Sequence, residues 1–229
     1  MTIHALVAGF VTAGLLAAAE LTPLELARDQ QDRGALTRMV NDAAQTADKA
    51  PNNADAQYRM ALAASYLAEV NQELHDKKAA QQAAIRGIKA AEKAVALKPN
   101  EAEYYRVMGT LCGQAITDLL SGLSYGPRAK DAINKAVALA PKSSSVYVAR
   151  GVGNLYLPAQ LGGGAEQAIA DFRKAISLDP NDTEAWLWLG ISLHRENKNA
   201  EARQALGKAL ALDPHRVWVK QELEKMPGK

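Results

Sequence analysis

Few residues in this 229-residue chain are of a type, and at a spacing, that could do chemistry. The four histidines, His4, His75, His194 and His215, form no metal-ligand pattern such as His-Glu-x-x-His with a neighbouring carboxylate, cysteine or second histidine. No Walker sequence or dinucleotide fingerprint occurs. The run Gly162-Gly163-Gly164 could offer N–H groups to an anion, but no Gly-Lys-Ser/Thr follows it, so it reads as turn chemistry. Cys112 is the one cysteine, which excludes an internal disulfide and reads as a buried, inert thiol. The carboxylates are dispersed along the chain as on solvated helix faces. These observations point away from an enzyme and towards a binding protein with no cofactor and no metal.

What must position any binding residue is a repeated helical unit. Five prolines mark it, Pro51, Pro99, Pro141, Pro180 and Pro214, at spacings of 48, 42, 39 and 34 residues. Alanine stands five places before the last four (Ala94, Ala136, Ala175, Ala209), and a small residue twelve before (Gly87, Ala129, Ala168, Ala202). After the prolines an aromatic and a glycine recur four apart: Tyr105 and Gly109, Tyr147 and Gly151, Trp186 and Gly190. Gln57 and Ala61 hold those places in the weakest copy. Small residues let two helices approach closely, and apolar residues every three to four places fill the space between. Proline ends the second helix, because it lacks the N–H and restricts the residue before it.

The last unit reads Trp186-x₂-Leu189-Gly190-x₂-Leu193, then Ala202-x₃-Leu206, Ala209 and Pro214. It resembles the tetratricopeptide (TPR) repeat, with leucine at the family's Tyr and Phe places. The resemblance runs from about residue 22 to the end. It implies an all-α fold, an α-solenoid of antiparallel helix pairs with a C-terminal capping helix. The division expected is a leading pair over 22–50, repeats over 52–99, 100–141, 142–180 and 181–214, and a cap over 215–227, in one repeat domain spanning 20–229. Helices are expected from Ala54 to about His75, from Lys77 to Leu97 with Ile85 and Ile88 inward, from Tyr104 to Leu120, and from Ala129 to Leu139.

Only the last proline spacing equals the family length of about 34, so the extra residues should lie in turns within pairs or lengthen helices. Ser121 to Pro127 reads as a turn-rich loop carrying Leu123 and Tyr125, either folded on its own pair or meeting a partner. Leu157 to Gly164 is similar to the Pro-x-x-Phe-Gly-Gly turn of some exported bacterial TPR proteins, with Leu161 expected to tuck under as a plug. In the cap, Val217, Trp218, Leu223 and Met226 should face in and Lys220, Glu222, Glu224 and Lys225 out.

With 27 basic and 25 acidic residues the net charge is +2, which gives no case for nucleic acid. Residues 1–19 differ in kind. Ala5 to Ala19 is an uncharged, largely apolar run ending in Ala17-Ala18-Ala19-Glu20, which fits a secretory cleavage site and is short for a membrane span of about 20 residues. It is read as a signal peptide, so the protein is expected to be exported, in a bacterium to the periplasm, with no membrane span left after its removal. Were the run a buried N-terminal helix instead, the protein would be cytoplasmic.

In TPR arrays the first helices of successive pairs line a concave groove. Carrying the family's groove places over by register gives Tyr58, Leu62, Ser65 and Tyr66, then Arg106, Thr110 and Gln114. The third unit gives Val148, Val152, Leu155 and Tyr156, and the last Leu187, Ile191, His194 and Arg195. The Lys and Asn of the carboxylate clamp found in some TPR domains are absent from these places. The resemblance implies a scaffold or adaptor holding a peptide or helix of a partner protein in an apolar groove with a polar end. A small-molecule carrier serving a transport system, or a structural subunit of an envelope complex, are the alternatives.

Overall fold

The computed structural model describes residues 21–226, so the expected signal segment lies outside the described residues. Among the described residues there are eleven α-helices, one short 3-10 turn and no strand. The helices are α1 (Pro23–Asp29), α2 (Arg33–Lys49), α3 (Ala54–Glu73), α4 (Lys77–Leu97), α5 (Ala102–Gln114) and α6 (Leu119–Leu139). They continue as α7 (Ser144–Tyr156), α8 (Ala165–Leu178), α9 (Thr183–Arg195), α10 (Asn199–Leu212) and α11 (Val217–Glu224).

Consecutive helices pair, and α11 caps α10. First helices touch one another along the row, α1 on α3, α3 on α5, α5 on α7 and α7 on α9. Each second helix packs on the first helix of its own pair and of the next. A row in which the first helices lie closest together curves with those helices on its inner side.

Local sequence explains most of the boundaries. Thr22 and Glu25 form a reciprocal capping box at α1, and Asp32, Asn53, Asp76 and Asp182 cap the helices that follow them through the N3 amide. Helices α8 and α10 stop one residue before the proline-containing turns. At Gly151 an added Cβ would lie 2.5 Å from Phe172 Cε1, and at Gly190 it would lie 2.6 Å from Leu206 Cγ. The recurring glycine is therefore where the two helices of a pair meet.

The turns within pairs are of two kinds. In three of them the residue after the helix cap, Gln31, His75 or Asn197, has φ of 55°, 62° and 59°. The next amide bonds back five residues, from Asp32 to Ala27, Asp76 to Asn71 and Lys198 to Leu193. That is the Schellman closure, here made without glycine. The other two turns depart from it. One is the link Ala115–Asp118, and the other is Leu157–Gly164, where Gly162 and Gly164 take φ of 86° and 108°.

Several expectations need correction. Residues 121–127 are not a loop: they form the first turns of α6, which starts at Leu119 behind an Asp118–Ser121 capping box and carries Pro127 inside it. The surplus of the early units thus lengthens α3, α4 and α6 to 20, 21 and 21 residues. Leu161 is 64% exposed and plugs nothing. Ile85 faces solvent, because it falls off the stripe that Ala84 and Ile88 bury. Glu222 is buried rather than outward, accepting from Trp218 Nε1 at 2.9 Å and from Lys225 Nζ at 2.6 Å. Cys112 is buried, and burial pushes its thiol up to about 11.

Candidate partner-binding surface

The register positions on the inner helices do not form one open groove. Tyr58 and Leu62 are half-buried against the N-terminal core. Tyr58 stacks on Tyr104 with ring centroids 4.9 Å apart and donates its hydroxyl to Glu103 at 3.1 Å. Ser65 and Gln114 are buried and satisfy each other, Ser65 Oγ donating to Gln114 Oε1 at 3.3 Å and Gln114 Nε2 to the Ser65 carbonyl at 3.1 Å. Arg106 grips Glu103 through Nε at 2.6 Å and a terminal nitrogen at 2.5 Å, with Thr110 half-buried one turn on. Tyr66 lies under the Arg28 guanidinium at 4.9 Å.

Further along, Val148, Val152 and Leu155 are half-buried against the C-terminal core, and Leu187 and Ile191 are buried inside it. His194 Nδ1 pairs with Asn199 Oδ1 at 2.7 Å. Tyr156 is 61% exposed, edge-on to Trp188, and holds Arg195 over its ring at 4.9 Å. Ser65, Gln114, Leu187 and Ile191 are therefore packing residues out of a partner's reach. Helical periodicity puts a residue on the inner face but does not say whether a neighbour covers it.

The centre of the inner face is closed by the two ends of the chain, and it is polar rather than apolar. Arg216, at the start of α11, is fully buried. It donates to Glu69 at 2.6 Å and Glu73 at 2.7 Å on α3, and to Glu184 at 2.9 Å on α9. Asp29 of α1 stands 3.6 Å away, and Arg28 bridges Asp29 at 2.6 Å and Glu184 at 3.6 Å. Gln31 and Gln221 exchange hydrogen bonds of 3.1 and 3.0 Å across the same seam. Distant hairpins thus touch, so the curved row closes on itself.

Burial pushes Asp29 up to about 6 and Glu73 up to about 7, and raises Glu69, against the pull of Arg216 and Arg28. At Glu184 burial also acts to raise the value, but Arg216 and Arg28 outweigh it and hold the carboxyl below the usual range. None of these residues was singled out in the sequence. Glu69 and Glu73, one turn apart on an otherwise alanine-rich helix, were the available signal.

What remains open is the edge carrying the within-pair turns. Leu119, Leu120 and Leu123 in the first turns of α6 are 79%, 78% and 69% exposed, and Ile116 beside them is exposed too. In the next pair Leu161, in the α7–α8 turn, and Tyr156, the last residue of α7, are 64% and 61% exposed. Gly122-Leu123-Ser124-Tyr125-Gly126 also spells the Gly-x-Ser-x-Gly string of a hydrolase elbow. That elbow needs a strand-to-helix turn, and here the string lies within α6. The turns between pairs read Pro-Asn-Asn, Pro-Asn-Glu, Pro-Lys-Ser, Pro-Asn-Asp and Pro-His-Arg.

Residues 24–153, more than half of the chain, match the family described as regulator of microtubule dynamics protein 1-3. The chain belongs to that family. Residues 163–223 match a tetratricopeptide-repeat family, which makes it a TPR protein as well.

Among curated proteins it is similar to human protein O-mannosyl-transferase TMTC1, 29% identical over 119 residues, which is 50% of this chain and 13% of that protein. The peroxisomal targeting signal receptor of Kluyveromyces lactis is 46% identical over 52 residues, 23% of this chain and 9% of the receptor. The chain therefore spans only a small part of either relative. Among solved structures, a thermophilic TPR protein of Thermus thermophilus superposes with a TM-score of 0.60 at 20% identity, over 88% of this chain and 97% of that one. The HusA haemophore of Porphyromonas gingivalis gives 0.51 at 17% identity, over 82% and 91%. At such identities the two structures share the fold.

Proposed function

We propose that this member of the family is a non-catalytic scaffold that holds an apolar helix or peptide of a partner protein. The contact lies along the edge formed by the α5–α6 and α7–α8 turns. One observation carries the reading: three leucines within five residues of α6 stand in solvent, more than single scattered apolar residues account for. Leu119 and Leu123 lie four apart on one helical face and Leu120 beside them, the spacing that grips an apolar partner. The inner-face residues Tyr156 and Arg195 border this edge and extend the contact.

Affinity capture of a partner, with the Leu120→Asp/Leu123→Asp protein beside wild type and Arg195→Glu, tests it. Loss of the partner with the leucine pair, and smaller loss with Arg195→Glu, is the expected pattern. Full recovery with the leucine pair removes this edge from the account, and loss with Arg195→Glu alone returns the contact to the inner face. We further propose that residues 1–19 direct export to the cell envelope. Mass spectrometry of the mature protein should find its N-terminus near Glu20, and an intact Met1 or Thr2 ends that part of the proposal.

A further inference from the structure

The seam between the chain ends holds more acid than base. From α1 come Arg28 and Asp29, from α3 Tyr66, Glu69 and Glu73, from α5 Glu103 and Arg106, from α9 Glu184 and from α11 Arg216. His75, Glu224 and Lys225 rim the cleft of about 440 Å³ that opens beside Glu73 and Gln221. Within the buried part, the guanidiniums of Arg28 and Arg216 face four carboxylates, Asp29, Glu69, Glu73 and Glu184, while Arg106 is paired with the more exposed Glu103. Asp29 Oδ2 and one terminal nitrogen of Arg216 are buried without a hydrogen-bond partner. Two uncompensated negative charges in so enclosed a place cost far more than in water.

We propose that this seam is a proton-dependent clasp: closed when the surplus carboxylates hold protons, and open, releasing the inner face, when all are ionised. Opening lets water reach Glu69 and Glu73 on α3 while Arg216 leaves with the C-terminal pair. The direction follows from linkage. A carboxyl raised in the closed form binds its proton on closing. Its contribution is complete below the ordinary carboxylate range and is lost as pH rises through the raised value. With Asp29 at about 6 and Glu73 at about 7, closure weakens as pH climbs through 6 to 7. Glu184, held low by the arginines, acts in the opposite sense and weakens the clasp only in acid.

The device does not depend on any partner, so its test stands apart from that of the scaffold reading. Dyes placed on the exposed positions of Lys78→Cys and Lys208→Cys in the full chain would report the distance between the two ends by energy transfer. Wild type should lengthen between pH 6 and 9 with helicity by circular dichroism unchanged. Glu73→Gln, which keeps the shape without the charge, should stay short to higher pH, and Arg216→Gln should be long throughout. A wild-type distance constant from pH 5 to 9, or a Glu73→Gln profile that tracks wild type, overturns the proposal even where Arg216→Gln fails to fold.

Discussion

The two halves of the row are packed with different materials. Around α3 and α4 the buried residues are mostly alanines, among them Ala61, Ala64, Ala84 and Ala91, with Met60, Ile88 and Leu111 between them. Around α9 and α10 they are large: Phe172, Leu187, Leu189, Ile191, Leu193 and Leu206, with Trp186, Trp188 and Trp218 half-buried against them. Alanine packing brings long helices close and leaves little room for change. Large side chains hold shorter helices through more area per residue. Loss of a buried side chain should therefore cost more in the second half than in the first, where each buried residue is small to begin with.

The largest effect expected is Phe172→Ala. Its ring is fully buried and stacks on Trp188, so the loss should reach about 3–5 kcal/mol by denaturant titration, with the C-terminal pairs exchanging amides first. An N-terminal half that exchanges equally early would break the comparison. Next comes Ala64→Leu, fully buried between α3 and α4, where overpacking should cost about 1–3 kcal/mol in the same titration. Little change there would mean that the alanine core has slack. Trp186→Ala should fall short of the ~3–5 kcal/mol of a fully buried tryptophan, because the indole is half-exposed and bonds the Pro180 carbonyl at 2.9 Å. The smallest change is His75→Gly, which relieves a left-handed backbone and should raise stability by up to about 1 kcal/mol in a thermal melt.

Much of the fold was legible in the chain. Asp32, Asn53, Asp76 and Asp182 write the helix starts, Pro180 and Pro214 the stops, and Gly151 and Gly190 the places of closest approach. The α6 start was not, because Gly122, Gly126 and Pro127 look like turn residues, while Asp118 and Ser121 cap a helix ahead of them. The candidate site was less legible than the fold. Leu187 and Leu120 are alike to a periodicity argument, yet one is buried under a neighbouring helix and the other stands in water. The three Schellman turns on Gln31, His75 and Asn197 were also hidden, since none of these residues announces a left-handed φ as glycine does.

What happens within about one repeat can be read from the residues alone: helix, cap, turn, and the small residues that let a helix meet its partner. Those choices are made by contacts a few residues to a few tens of residues apart, and each leaves its mark locally. That Arg216 reaches Glu73 across 143 residues, and that Gln31 meets Gln221, is settled once all the pairs are stacked. Such contacts depend on small rotations summed over every pair, a quantity that no single stretch of the chain records.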